Sequence, residues 1–221
     1  MDFIPILTSI VTGYFMGNIM ASYFITKWVM GYDIREHGTG NAGGSNSFLL
    51  MGAKNGLIVG IIDNLKAFLA VYVIRILFST TESEMLPLLM MISGTMAVMG
   101  HIFPFFLGFR GGKGVACFMG MCLGINSEVG WYVILGITLL TIITDYVAVA
   151  SIIGYFIFPF VIIFAPNYFF NTQLIANHNV IIALSIFLST IGIWKHQINI
   201  SNLLAKKEKG LRGVLREKYK S

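Results

Sequence analysis

Charge is scarce in this chain. Only 11% of its 221 residues are Asp, Glu, Lys or Arg, against roughly a quarter in soluble domains. That scarcity, with 56% apolar residues and a mean hydropathy of +0.79, excludes an ordinary soluble domain. Cysteine is almost absent. Cys117 and Cys122 lie five positions apart in one apolar segment. Helix positions five apart point in different directions, so the pair reads as small apolar filler rather than a disulfide. No His/Cys cluster has the spacing of a metal site, and no metal is expected. No cationic region precedes the first apolar stretch, which therefore reads as a permanent span and not a cleaved leader. Internal repeats and low-complexity linkers are also missing, so 221 residues form one helical bundle.

Long apolar runs fill most of the chain. A membrane helix needs about 20 apolar residues. Spans are expected near 4–30, 54–78, 86–107, 129–146, 148–168 and 178–195, with a short one at 114–126. The expected fold is all-α: a polytopic membrane protein whose seven-helix bundle contains one short helix. Lys and Arg occupy alternate connections. Lys27, Arg35 and Lys54 flank or lie in the first connection, and Arg110 and Lys113 lie in the third. Lys195 begins a tail rich in Lys and Arg, whereas 79–87, 126–128 and 169–177 carry none. Cytoplasmic loops hold the excess of such residues, so the N-terminus is expected outside and the C-terminus in the cytoplasm. The tail over 206–220 either enforces topology or meets anionic headgroups. Its lack of aromatic or motif signature gives no support to nucleic-acid binding.

Two glycine-rich loops then share one face. GHIFPFFLGFRGGKGVA at 100–116 packs Arg110, Lys113, Gly108, Gly111, Gly112 and Gly114 into a short turn. Glycines let backbone N–H groups approach an anion, and a helix starting at Val115 aims its positive end there. A side chain at Gly112 is expected to obstruct that anion. GTGNAGGSN at 38–46 is a second such loop. Together they suit two phosphate groups. In the second span Asp63 and Lys66 sit three apart on one helix face. They form either a buried pair that sets helix register or an extension of the phosphate pocket. Arg75, further along, is expected to snorkel. His101 ends the third span beside the glycine loop. His196 and Asn199 share a face past the last span, where they could orient a hydroxyl or a phosphate and where their removal should cost little packing. His37 and His178 read as surface residues.

These strings resemble the bacterial integral-membrane acyl-phosphate:glycerol-3-phosphate acyltransferases, the PlsY family, over nearly the whole chain. Residues 100–116 match the family's GHxFPxFLxFxGGKGVA almost fully. Asp33, Ile34, Arg35, Gly38, Thr39, Gly40, Asn41, Gly43, Ser45 and Asn46 match its first motif. Asp63 and Lys66 match its D-x-x-K, and Lys195, His196, Asn199 and Ile200 match its third motif, with Glu208 downstream. The resemblance implies acyl transfer from acyl phosphate to the 1-hydroxyl of glycerol 3-phosphate, giving lysophosphatidic acid, at the cytoplasmic face of a bacterial plasma membrane. It implies no cofactor, neither coenzyme A nor metal. The partners implied are acyl phosphate, glycerol 3-phosphate or another phosphorylated acceptor, and membrane lipids. Residues 1–200 form the acyltransferase-like domain and 201–221 a basic cytoplasmic tail. Lys113, His196 and Asn199 take the catalytic positions. Gly38, Thr39, Gly40, Asn41, Gly43, Ser45, Asn46, His101, Gly111, Gly112, Gly114 and Ser151 take substrate or phosphate positions. Arg35, Asp63, Lys66 and Glu208 are structural or site residues.

The chain departs from the family pattern at Asn18, Lys27, Leu49, Asp145, Ala148, Lys195 and Asn202, and at Lys206 and Lys207 before Glu208. Arg is usual at 27, 49, 145, 195 and 202, Ser at 18 and 148, and Gly-Thr at 206–207. A lysine does not reproduce the bidentate fork of an arginine. The departures keep open a non-catalytic or altered-acceptor relative that binds acyl phosphate or phospholipid. A transporter fits less well, because the charged groups gather on one face rather than along a path.

Overall fold

The computed structural model describes residues 3–80, 84–173 and 175–213. Arg216, Lys218 and Lys220 of the basic tail lie outside the described residues. Among the described residues the chain is helical, with no strand. In chain order the helices are α1 (Phe3–Gly17), α2 (Ala21–Met30), α3 (Gly44–Met51), α4 (Ala53–Phe78), α5 (Leu86–Ile102), α6 (Val115–Ile125), α7 (Ser127–Thr144), α8 (Val147–Phe164), α9 (Pro166–Phe170), α10 (His178–Trp194) and α11 (Gln197–Leu204). Two 3-10 turns, Ile34–Glu36 and Phe105–Leu107, lie in the loops.

The apolar segments read from the sequence coincide with these helices. Among the described residues five stretches are long and apolar enough to cross a membrane: Phe3–Met30, Ala53–Phe78, Leu86–Leu107, Ser127–Thr144 and Val147–Phe164. α10 passes the same test only together with α11, to which it is bent by 51°, as a broken span or a re-entrant loop does, and α6 is the short apolar helix of 11 residues. At 1.5 Å per residue, the 26 residues of α4 reach past a hydrocarbon core of about 30 Å.

α5 is the hub, with 14 of its 17 residues buried. α1 packs along it through glycine. A Cβ on Gly17 would lie 2.1 Å from the Ala97 carbonyl oxygen, so only hydrogen permits this approach. Without a hydrophobic drive between helices in lipid, such close backbone contact is what holds them together. α4 turns Val59, Asp63, Lys66, Ala67, Ala70, Val71 and Ile74 inward at helical spacing, while Leu57, Ile61, Leu65 and Ile76 face outward.

The expectation for Arg75 needs correction. Rather than snorkelling, it is drawn across to the end of α6, where Nη2 donates to the carbonyls of Gly124 (2.9 Å) and Ile125. A guanidinium there meets carbonyls that have no partner in their own helix and the negative end of its dipole.

Candidate functional site

Both glycine loops gather at one end of the bundle. The Ala42 N–H donates to the Gly111 carbonyl (3.3 Å), joining them directly. Arg35 adds a second tie. It pairs with Asp33 at 2.6 Å and donates to the carbonyls of Leu107 and Arg110. That pairing raises the Arg35 pKa and lowers that of Asp33, chiefly through the hydrogen bond between them. Arg35 thus braces one loop on the other.

The first loop is wound around Asn46. Its Oδ1 accepts from the Thr39 N–H (2.8 Å), and its Nδ2 faces the carbonyls of Ile34, His37 and Asn41 at 2.9–3.0 Å. Asn46 is fully buried, so it organises the loop from within. Gly38 has φ +62°, and a Cβ on it would lie 2.2 Å from Asn46 Oδ1. Gly40 also has a positive φ. The Thr39 hydroxyl accepts from Asn41 Nδ2 at 2.8 Å. Ser45 is exposed in the first turn of α3. Gly43 is buried, and a Cβ on it would come within 3.9 Å of Gly112 Cα.

The second loop leaves α5 at Phe103 and Pro104. The N–H groups of Gly111 and Gly112 bond back to the carbonyls of Ile102 and His101, both at 3.1 Å. Gly114, at φ +83°, then starts α6. Beneath the loop lies a buried cluster. Lys66 Nζ is 2.8 Å from Asp63 Oδ1 and 3.0 Å from His101 Nδ1, and it donates to the Ile19 carbonyl at 2.6 Å. His101 Nδ1 is 3.4 Å from Asp63 Oδ1. The pair expected from spacing forms, and it ties α4 to α5 and to the α1–α2 break. Lys66 is thereby committed to internal partners.

The reason offered for Gly112 is also corrected. A Cβ there would lie 2.1 Å from His101 Nε2. A side chain would strike the buried ring before it reached any ligand. Gly112→Ala is therefore expected to lower the melting temperature as well as ligand binding. Unchanged thermal stability with weakened binding would restore the simple obstruction account.

Lys113, His196 and Asn199 converge beside this loop. Lys113 Nζ donates to Asn199 Oδ1 (2.6 Å), and Asn199 Nδ2 donates to Glu208 Oε1 (2.6 Å). Burial lowers the Lys113 pKa, while the charge of Glu208 opposes that fall. His196 follows α10 and sits as the cap of α11. Its Nδ1 is 2.8 Å from the Gly192 carbonyl. A carbonyl can only accept, so the ring proton lies on Nδ1 and Nε2 keeps its lone pair. Burial pushes the His196 pKa down to about 4, with the charge of Lys113 adding to the effect, so the ring is neutral at pH 7. His196 is only 2% exposed and rests against Tyr155 with ring centroids 6.3 Å apart. The expectation that its removal costs little packing does not hold.

Ser151 is placed differently from the others. Its hydroxyl donates to the Val147 carbonyl one turn back (2.7 Å), and the residue is buried. Tyr155, one turn further on, was not singled out from the sequence. Its hydroxyl donates to the Lys113 carbonyl at 3.3 Å. The available signal was a lone phenol in a helix whose other side chains, Ser151 apart, are apolar, and a phenol needs a partner once buried. Lys195 lies over the ring of Phe103, 5.3 Å from its centroid. His37 stacks on Tyr32 and is exposed, as expected. His178 instead is part-buried and bonds the Ile162 carbonyl.

The departures have visible consequences. Asn18 donates to the Tyr14 carbonyl and accepts from the Phe105 N–H (3.0 Å), coupling the α1–α2 break to the second loop. Leu49 packs near Gly38, where a Cβ would meet it at 3.3 Å. Ala148 is buried at the start of α8. The Asn202 carbonyl accepts the N–H groups of Lys207 and Glu208, turning the chain back towards Asn199.

Comparison with known proteins agrees with this picture. A family model described as glycerol-3-phosphate acyltransferase matches residues 7–206. The glycerol-3-phosphate acyltransferase of Chlorobium chlorochromatii is 34% identical over 93% of this chain and 96% of its own. That of Chlorobaculum tepidum is 41% identical over 71% of this chain and 69% of its own. The crystal structure of PlsY, an integral membrane glycerol 3-phosphate acyltransferase, in its glycerol 3-phosphate form superposes with a TM-score of 0.76 at 28% identity, covering 93% of this chain and 94% of that one. Its lysophosphatidic acid form gives 0.74 at 27% identity.

Proposed function

Because the chain belongs to the integral-membrane glycerol-3-phosphate acyltransferase family, we propose that it moves a fatty acyl group from acyl phosphate to the 1-hydroxyl of glycerol 3-phosphate. The products are lysophosphatidic acid and inorganic phosphate. The observation that carries this reading is the convergence of Lys113, Asn199 and neutral His196 beside two joined glycine loops.

The donor is a mixed anhydride with a good leaving group, so orientation and charge neutralisation supply much of the rate. His196 Nε2 accepts the proton of the glycerol hydroxyl as its oxygen bonds the acyl carbon. The bond from that carbon to the phosphate oxygen then breaks, and the phosphate leaves with its electrons and later takes the proton. Lys113 meets phosphate charge, with Asn199 fixing its ammonium. In the first loop the exposed Ser45 hydroxyl meets phosphate oxygens, and in the second the Lys113 ammonium does, because the N–H groups of Thr39, Gly40, Ala42, Gly111 and Gly112 are already bonded to Asn46 Oδ1 and to backbone carbonyls.

The deciding experiment supplies the purified protein with labelled glycerol 3-phosphate and either acyl phosphate or an acyl-coenzyme A thioester. Turnover with acyl phosphate alone is expected. Turnover with the thioester alone would overturn the donor, and none with either would favour a non-catalytic relative.

The site is assigned to the cytoplasmic face of the bacterial plasma membrane. Support comes from the Lys/Arg asymmetry between alternate connections. A single cysteine introduced at Arg110 is expected to react only with reagents that reach the cytoplasmic side. Labelling from outside would overturn both the topology and the access route to the site.

A further inference from the structure

The break between α7 and α8 holds a residue the reaction does not explain. Asp145 sits at φ +69°, in the left-handed region that few residues other than glycine, Asn and Asp adopt readily. Where the family pattern has Arg, this chain has an acid. The acid is engaged by residues far along the chain. The Leu211 N–H donates to the Asp145 carbonyl (2.8 Å), and the Arg212 N–H donates to Asp145 Oδ1 (2.8 Å). The Arg212 guanidinium donates to the Ile142 carbonyl (2.9 Å), and its Nε stands 3.9 Å from Asp145 Oδ1. Gly210 lies so close that a Cβ on it would come 2.0 Å from Asp145 Oδ2.

We propose that Asp145 is a positioning residue for the acyl-transfer site, latching the segment 205–212 so that Glu208 holds Asn199 and, through it, Lys113. The proposal rests on the function put forward above. The strap has two fixed ends. At one, the Asn202 carbonyl takes the N–H groups of Lys207 (2.7 Å) and Glu208 (3.2 Å). At the other, Asp145 takes those of Leu211 and Arg212. Glu208 belongs to the first end, three residues before Leu211 of the second, and its carboxylate reaches Asn199 Nδ2 at 2.6 Å. That bond fixes which way the Asn199 amide faces, leaving Oδ1 towards the Lys113 ammonium at 2.6 Å. With the latch open, Glu208 loses one of its two anchors. The Asn199 amide can then rotate, and Lys113 loses a fixed acceptor where phosphate must bind.

Alanine at 145 would confound strain with lost contact, because its Cβ also resists the left-handed region. Asp145→Gly removes the acceptor and leaves the backbone at ease. It is expected to lower kcat about tenfold, as is Glu208→Met, which removes the acceptor for Asn199 Nδ2; a misplacement of about 1 Å at such a site costs up to about 100-fold. Asp145→Asn keeps an oxygen for the Arg212 N–H and tolerates the same backbone, so it should restore turnover to within about twofold. The double variant Asp145→Gly with Glu208→Met should be about as slow as Glu208→Met alone, because both act through one contact. A hundredfold loss in the double variant would place the action of Asp145 elsewhere and overturn the proposal. Faster turnover in Asp145→Gly would make the strap inhibitory and likewise overturn it. An active parent whose Asp145→Gly variant is equally active overturns this inference alone. A parent inactive with acyl phosphate and glycerol 3-phosphate overturns the functional reading and this inference together.

Discussion

Asp63→Ala is expected to be the most damaging single change to the fold, at about 3–5 kcal/mol. Asp63, Lys66 and His101 are 1%, 3% and 3% exposed. With the carboxylate gone, the Lys66 ammonium keeps the Ile19 carbonyl and the His101 ring as partners but has no counter-charge. A buried charge stripped of its partner costs far more than the pair contributed when intact. The loss would also reach function, because His101 Nε2 lies against Gly112 and fixes the second loop. Thermal unfolding in detergent should show a midpoint lower by about 6–20 °C, at about 2–4 °C per kcal/mol for a chain of this size. Asp63→Ala with Lys66→Met removes both charges and should recover much of the loss. A single variant that melts like the parent would mean that Lys66 is not held as an ion in the core.

The spans were legible because lipid imposes a simple rule on sequence: long apolar runs, with Lys and Arg gathered mostly in alternate connections, Lys66 and Arg75 inside α4 being exceptions that find internal partners. The cluster of cations and glycines at 108–114 was legible for a related reason, since few folds need that composition beside a membrane. Other features were hidden by distance in sequence. Asn46 looked like one more polar residue of a phosphate loop, yet its amide faces four backbone groups and shapes the loop from inside. Nothing local shows that Arg75 reaches α6, 49 and 50 positions away, because that contact depends on how two helices pack. Gly112 was identified as needing hydrogen, but the group that requires it is the ring of His101, visible only once α5 and the loop are placed together. Asp145 looked like a defect in a family pattern. Its hydrogen-bond partners lie 66 and 67 positions downstream, where the sequence shows only a basic tail.

Lys113→Met is expected to cost the most activity, about 100-fold or more in kcat/KM. Removing one preorganised group that meets developing charge has effects of that size. In this site the loss removes the cation that Asn199 holds, leaving Lys195 to oppose the charge of Glu208. Lys113 stands opposite Asn199, which in turn holds Glu208. Without the ammonium the nearest fixed charge on that chain of contacts is the Glu208 carboxylate, which repels phosphate. Both the binding of phosphorylated substrate and the departure of phosphate should suffer, so KM rises while kcat falls. Lys113→Arg keeps the charge but replaces a compact ammonium with a planar fork, and it should recover only part of the rate. The pH dependence separates these roles. Burial favours the neutral amine and lowers the Lys113 pKa. Raising the pH should therefore remove the charge, and with it kcat/KM, below the pH of about 10.4 at which an ordinary lysine titrates. In Lys113→Arg that alkaline fall should vanish, because the guanidinium stays charged across the range. An alkaline fall that persists unchanged in Lys113→Arg would assign it to another group and remove the Lys113 charge from the rate-determining step.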